Sequence, residues 1–536
     1  MAVSLLSLAL SRLRAPGVQA GALLLVLGVL VYGRVGGFDY SRTDDFGYII
    51  LNGHVRSGLS LDGIRWAFTA FDMGNWHPLM WVSLMADTTL FGLAPGPRHV
   101  VNVVIHLCNS LLVWRLAIRL LREPGAALLV AALFLVHPLH VESVAWISER
   151  KDVLCALFFL LACLAQLDHR ETGASAAWWR VQAFGVLALL SKPMAVTLPV
   201  VLVLLDLWPA LRPAFGGHRA LQGYGAACKD KLPLFAAAVF VAWLTVLAQG
   251  HAIAPLGQVS VLERWSNVPV ALTTYLVDLL LPSGLASFYP FRIPDPLREV
   301  LPSAALLAGT SYVCWRTRQR YPELLWGWVW FLVTIAPVSG VVQAGSQSHA
   351  DRYMYLPSIG LLLCAGLMFR RLRDGRALYA AVLAALLVAF HTGLAWIQVG
   401  YWRDPAMIYG RVLDVSGEHY TVSVGLAAYA LERGAVDEAY RHALRAVELG
   451  AEQAASHATL GYVALQTRNW ALAEKGYRAA ITLAPDDAAV TNNLGLALEQ
   501  QGRSSEARAA FRRALELDPA MPGFRKNLDR VEGAQR

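Results

Sequence analysis

At 536 residues, 56% of them hydrophobic and 16% charged, with a mean hydropathy of +0.45, the chain is too apolar to be a set of soluble domains, and a membrane solvent is implied. The basic surplus behind the formal charge of +8 lies entirely before residue 404, because from there onward 15 Lys and Arg face 17 Asp and Glu. Cytoplasmic loops of membrane proteins collect Lys and Arg, so this surplus needs no nucleic-acid partner.

In chain order, Arg12 and Arg14 precede the apolar run Gly21 to Tyr32, and no small-residue cleavage site follows it, so the run reads as a retained signal anchor. Apolar runs long enough to cross about 30 Å of hydrocarbon start near Gly17, Arg98, Gly125, Asp152, Val181, Met194, Leu232, Glu299, Glu323, Tyr355 and Ala377, which makes eleven. The fifth and sixth are parted only by Ser191-Lys192-Pro193. A twelfth candidate, Asn267 to Pro282, is short and carries Asp278. The dense basic clusters are Arg115/Arg119/Arg122, Arg212/Arg219/Lys229/Lys231, Arg316/Arg318/Arg320 and Arg370/Arg371/Arg373/Arg376. All of them face the cytoplasm together only if the Asn267 segment does not span. It is therefore expected as an interfacial helix in an external loop over about 251–298, with the N-terminus inside and the C-terminal part outside a bacterial inner membrane. Six cysteines (Cys108, Cys155, Cys163, Cys228, Cys314, Cys364) lie in or beside apolar runs without CxxC spacing, so neither a disulfide framework nor a zinc site is expected.

From residue 420 the chain repeats every 34 residues, in units near 420–453, 454–487 and 488–521. Leu426/Leu460/Leu494, Ala427/Gly461/Gly495, Ala439/Ala473/Ala507, Ala446/Ala480/Ala514 and Ala451/Pro485/Pro519 fall in register. Small residues suit a close helix crossing and proline a unit's end, the pattern of a tetratricopeptide solenoid. Met521 to Arg536 would be an amphipathic cap. The fold class is thus all-α: a multispanning helical core over 1–403, a linker at 404–419 and a tetratricopeptide-repeat solenoid over 420–536.

Under this topology the polar residues set in apolar context converge on the external side. Asp44 and Asp45 follow the first span and His77 lies later in the same loop. His137, His140, Glu142, Glu149, Arg150, Lys151 and Asp152 fill the second loop, Lys192 sits at the next bend, and His349, Asp351, Arg352 and Tyr353 at the last. Ionisable groups at span ends are costly unless they pair or bind something. Each also has a bland reading: solvated loop acids, histidines satisfied by loop hydrogen bonds, an interfacial salt-bridge knot, a snorkelling lysine. Taken together, cations near the bilayer surface opposite a carboxylate pair suit a reaction that releases phosphate while a hydroxyl is deprotonated.

The strings HPLHVESVAWISERKDVL, LLSKPMAVTLPVVLVLLD and ADRYMYLPSIG, with the Asp-Asp loop before them and the repeats after them, resemble the transmembrane and tetratricopeptide-repeat-containing O-mannosyltransferase family over nearly the whole chain. That resemblance implies a GT-C glycosyltransferase core of eleven spans that takes a sugar, mannose in the family, from a polyprenyl-phosphate carrier on the non-cytoplasmic face, inverts the anomeric centre and needs no bound metal. It places the catalytic acids at Asp44 and Asp45. Arg150, Lys151, Lys192 and Arg352 become candidates to hold the departing phosphate, and His77, His137, His140 and Glu142 to shape the sugar or acceptor pocket, with Glu149, Asp351 and Tyr353 also at the substrate. The expected partners are the lipid-linked donor, membrane lipids and a Ser/Thr-bearing exported protein held in the repeat groove, with no cofactor. The solenoid is shorter than in animal members, which leaves a glycan or lipid acceptor open, as well as a non-catalytic membrane-anchored scaffold.

Overall fold

The computed structural model describes residues 16–208, 228–248, 260–341, 346–519 and 521–533. Arg12 and Arg14, Arg212 and Arg219, and the start of the expected external loop lie outside them. Every named element among the described residues is helical, and one isolated antiparallel bridge joins Pro290 and Gln347. The chain divides into two compact units, Met1–Asp404 and Pro405–Arg536.

The first unit contains α1 (Pro16–Tyr32), α2 (Leu61–Thr69), α3 (Pro78–Phe91), α4 (Pro95–Leu121), α5 (Pro124–Val136), α6 (Val141–Ala145), α7 (Arg150–Thr172), α8 (Ser175–Ser191), α9 (Leu198–Leu207), α10 (Leu232–Ala248), α11 (Val261–Leu280), α12 (Leu301–Arg316), α13 (Pro322–Ile335), α14 (Pro357–Arg373) and α15 (Ala377–Gly400). A helix stands at each of the eleven places where a span is expected. Four stretches among the described residues are long and apolar enough to cross a membrane alone: Gly17–Gly37, Pro95–Leu121, Ile147–Thr172 and Ala377–Gly400. Counting α5 with Pro138–Ala145, bent by 53°, gives five. The count of eleven is therefore not reached by length and hydropathy. The cause is helix length: Lys192-Pro193 parts α8 from α9, and a 17-residue helix such as α8 rises about 25 Å, short of the hydrocarbon thickness. With these apolar helices, the first unit is that of a membrane protein.

The segment expected from Asn267 is the 20-residue helix α11, which starts six residues earlier, at Val261. A reciprocal capping box sets that start: Ser260 accepts from Glu263 N–H and Glu263 from Ser260 N–H. The helix buries Arg264, Asn267, Ala271, Leu272 and Tyr275 and exposes Leu262 and Trp265, an amphipathic division that fits an interfacial element. Elsewhere the packing is that of close membrane crossings. A Cβ on Gly327 would come within 2.4 Å of the Gly360 carbonyl oxygen and one on Gly360 within 2.6 Å of the Gly327 carbonyl oxygen, so α13 and α14 touch backbone to backbone where only glycine fits.

In the second unit α16 (Pro405–Ser416) occupies most of the stretch expected as linker. It buries Ile408, Tyr409 and Val412, and its Tyr409 ring leaves no room for a Cβ at Gly425. Three helix pairs follow at the expected 34-residue spacing: α17 (Tyr420–Glu432) with α18 (Val436–Leu449), α19 (Ala454–Gln466) with α20 (Trp470–Leu483), and α21 (Ala488–Gln500) with α22 (Ser504–Leu517). A closing helix, α23 (Pro522–Gly533), comes last. Gly476 meets the Gly461 backbone at less than 3 Å from where a Cβ would stand, and Tyr477 and Phe511 are sealed in the stack. Asn492, a groove candidate by position, is instead buried and accepts from Asn527 of α23.

Candidate functional site

The first loop of unit 1 separates the two neighbouring acids by their burial. Asp45 is fully buried. Its Oδ2 accepts from Ser41 N at 2.8 Å and its Oδ1 from Ser148 N at 2.9 Å and from Ser148 Oγ. Burial nevertheless pushes its carboxyl up to about 6, against the downward pull of those donors. Asp45 is thus a clasp joining the first loop to the second. Asp44 is only half-buried and carries none of these bonds. It lies close enough to the Lys151 ammonium and to Tyr48 to act on both electrostatically.

Lys151 Nζ sits 5.0 Å above the Tyr48 ring and 3.1 Å from Glu149. Glu149 is a hub that also meets Lys192 Nζ at 3.3 Å and Arg352 Nε at 3.4 Å. Lys192 continues to Asp152 at 2.5 Å, whose other oxygen accepts from Ser143 Oγ at 3.1 Å. Arg352 reaches Glu142 twice, through Nη1 at 2.5 Å and through its backbone N–H at 2.8 Å. Residues from three separate stretches therefore form one cluster of three cations and three carboxylates. The side chains of the cations are 10–14% exposed and those of the carboxylates 2–4%, so the positive groups occupy the open side.

The remaining expected site residues play other parts. Arg150 is fully buried and points away: it donates to Asp87 at 2.8 Å, to the Arg98 carbonyl at 2.9 Å, to Ser83 Oγ at 3.0 Å and to Asn102. Four of the five donors of its planar fork are thus spent on tying α3, α4 and α7 together, on the far side from the cluster of Lys151, Lys192 and Arg352. His137 accepts from Leu139 N at 3.2 Å and meets the Leu279 carbonyl at 3.0 Å. His140 meets the Phe134 carbonyl at 2.6 Å and Ser358 Oγ at 3.0 Å. With both ring nitrogens of each engaged, these histidines hold the loop instead of lining a sugar pocket. Asp351 accepts from Tyr289 OH at 2.8 Å, and burial drives its carboxyl well above the ordinary range, nearby Glu142 adding to the effect. Tyr353 lies beneath the Arg352 guanidinium at 5.0 Å.

His77 differs from the other two. It is fully buried, and neither ring nitrogen has a hydrogen-bond partner. It stacks on Tyr48 at 5.6 Å and 18° and lies 5.2 Å from Trp81. Burial, with Lys151 next, holds its pKa well below the usual imidazole value. Tyr48 and Ser148 join the site without any sequence signal of their own, since a tyrosine two residues past a π-turn start and a serine beside an acid are ordinary loop residues.

Residues 459–522 match the family model described as Tetratricopeptide repeat. The chain is 32% identical over 215 residues to "Protein O-mannosyl-transferase TMTC1" of Mus musculus, covering 36% of this chain and 22% of that protein. It is 25% identical over 406 residues to "Protein O-mannosyl-transferase TMTC4" of Mus musculus, covering 64% and 54%. To "Protein O-mannosyl-transferase Tmtc3" of Drosophila melanogaster it is 22% identical over 533 residues, covering 83% and 57%. The matched part is thus well under two thirds of each relative's own length. The resemblance carried by the loop strings and the repeats is borne out by these names.

Proposed function

We propose, from this kinship with named protein O-mannosyl-transferases, that the chain is a membrane glycosyltransferase of GT-C type that moves a sugar, mannose by analogy, from a polyprenyl-phosphate carrier to Ser or Thr hydroxyls of exported proteins on the non-cytoplasmic face. The observation that carries the reading is the cluster of Lys151, Lys192 and Arg352 over buried carboxylates, with the half-buried Asp44 acting on Lys151 while its neighbour Asp45 is locked to Ser148.

In this reading the acceptor oxygen attacks the sugar C1 and its proton passes to Asp44. The bond from C1 to the phosphate oxygen breaks on the opposite face, and its electron pair leaves with the lipid phosphate. Arg352, with its planar fork, and Lys151 and Lys192, as point charges, neutralise the anion as it forms. The three carboxylates beneath them hold the cations in place while no donor is bound, and a bound phosphate draws the cations outward.

The test is purified protein with polyprenyl-phosphate mannose and a Ser/Thr peptide, following glycopeptide mass and freed polyprenyl phosphate together. Equimolar appearance of both supports the reading. Lipid phosphate release that depends on a glycan or lipid acceptor and never on peptide would move the acceptor class, and no release with any acceptor would leave a scaffold.

A further inference from the structure

A buried histidine with two idle nitrogens is rare in a folded protein, because each unpaired polar atom forfeits its solvation. His77 is such a residue, and its surroundings point to what would complete it. It packs in a cluster with Tyr48 and Trp81, whose own rings stack at 4.8 Å. The charged groups that act on it are Lys151, Glu149 and Lys192, three members of the cluster described above. The Trp81 and Trp146 indole nitrogens are likewise buried without a partner, and Trp146 lies 5.6 Å below the Arg352 guanidinium.

We infer that His77 binds a hydroxyl of the transferred sugar through one of its ring nitrogens. This rests on the glycosyl-transfer reading above and adds a group that selects the sugar. The ligand class follows from charge. A phosphate would be better served by an imidazolium, whereas burial and Lys151 keep this ring neutral. A neutral imidazole carries one N–H and one lone pair, the same complement as a hydroxyl.

The test pairs His77→Ala and His77→Asn with short-chain polyprenyl-phosphate mannose and its four single-deoxy analogues, reading kcat/KM by freed lipid phosphate. The expected result is that wild type loses roughly 10- to 100-fold on one analogue, while His77→Ala loses a similar factor on the parent donor and nothing further on that analogue. His77→Asn, which keeps a donor and an acceptor, should recover part of the parent rate, and it also serves if the alanine variant does not fold. Equal further losses by a folded variant on all four analogues, or unchanged activity of the variant on the parent donor, would overturn the assignment while leaving the glycosyl-transfer reading intact. A wild type that frees no lipid phosphate from any donor would overturn that reading, and the role of His77 with it.

Discussion

Two adjacent carboxylates with different surroundings should fail in different ways. Asp44→Asn keeps size and most hydrogen bonding but removes the basic lone pair, so turnover should fall about 10²- to 10⁴-fold while the detergent-solubilised melting midpoint stays near wild type. Asp45→Ala instead strands Ser41 N–H and the two Ser148 donors, at a cost of roughly 2–4 kcal/mol, and should lower the midpoint. An Asp44→Asn enzyme with full activity would remove the base from Asp44. The same clasp predicts a pH dependence. The carboxyl of Asp45 is raised in the folded state to about 6, above its unfolded value, so the folded protein holds that proton more tightly. The resulting stabilisation is complete below about pH 4 and is lost as pH rises through about 6. Asp45→Asn mimics the protonated form, so the midpoint of wild type minus that of the variant should fall between pH 4 and pH 6 and level off above. A flat difference would show that Asp45 is not buried as described. None of this division is legible in the string Thr43-Asp44-Asp45-Phe46, because what separates the acids is Ser148, 103 residues away.

At the scale of elements, Arg150 and Arg352 look alike in sequence, each beside an acid at the end of an apolar run, and the fold makes them opposites. Arg150 joins three helices by bonds that only a planar fork can make simultaneously, whereas Arg352 stands partly open above Glu142 and Glu149. The same substitution should therefore have opposite readouts. Arg150→Lys should lose roughly 2–4 kcal/mol of stability and leave the donor KM of the surviving protein unchanged. Arg352→Lys should keep the melting midpoint and raise the donor KM about 10-fold. Thermal melts and donor titrations on both variants decide it, and a matching pattern in the two would refute the distinction. Helix positions are legible from hydropathy because each apolar run demands an internally bonded backbone. Lengths are not, since several of the apolar helices are too short to cross alone, and the start of α11 falls at Val261, set by the Ser260/Glu263 capping box, six residues before Asn267. The histidines were ambiguous for a different reason: a polar nitrogen satisfied by a carbonyl from another helix, as at His137 and Leu279, leaves no mark in local sequence.

For the whole molecule, the direction of insertion and the task of the solenoid are separable questions. If the arginine cluster after α14 faces the cytoplasm, a lone cysteine at Asp374 should resist an impermeant thiol reagent in intact cells, and one at Ser346 should react. Both positions are exposed, and Asp374 avoids the left-handed backbone of Gly375, where a cysteine would be strained. Reversed labelling would invert the topology. The solenoid bears on acceptor choice. Stacked repeats present a concave surface suited to extended chains. Tyr462 is exposed on α19, whereas Asn492 is occupied by Asn527, so a binding surface should centre on the first two repeats and not on the third. The cut that isolates the solenoid belongs before Pro405, since α16 buries Ile408, Tyr409 and Val412 within the second unit and would be left with a bare apolar face if the cut fell at residue 418. Removing residues 405–536 should raise the KM for a folded protein acceptor at least several-fold, or abolish its use, while transfer to a short Ser/Thr peptide continues at the full-length rate. Equal loss on protein and peptide would make the solenoid a stabiliser of the membrane unit, and no loss on either would remove it from acceptor recognition. Substituting Tyr462 by Ala in the full-length chain narrows the same question to the groove, because that exposed ring contributes little to the stack and its loss should be felt only by the protein acceptor.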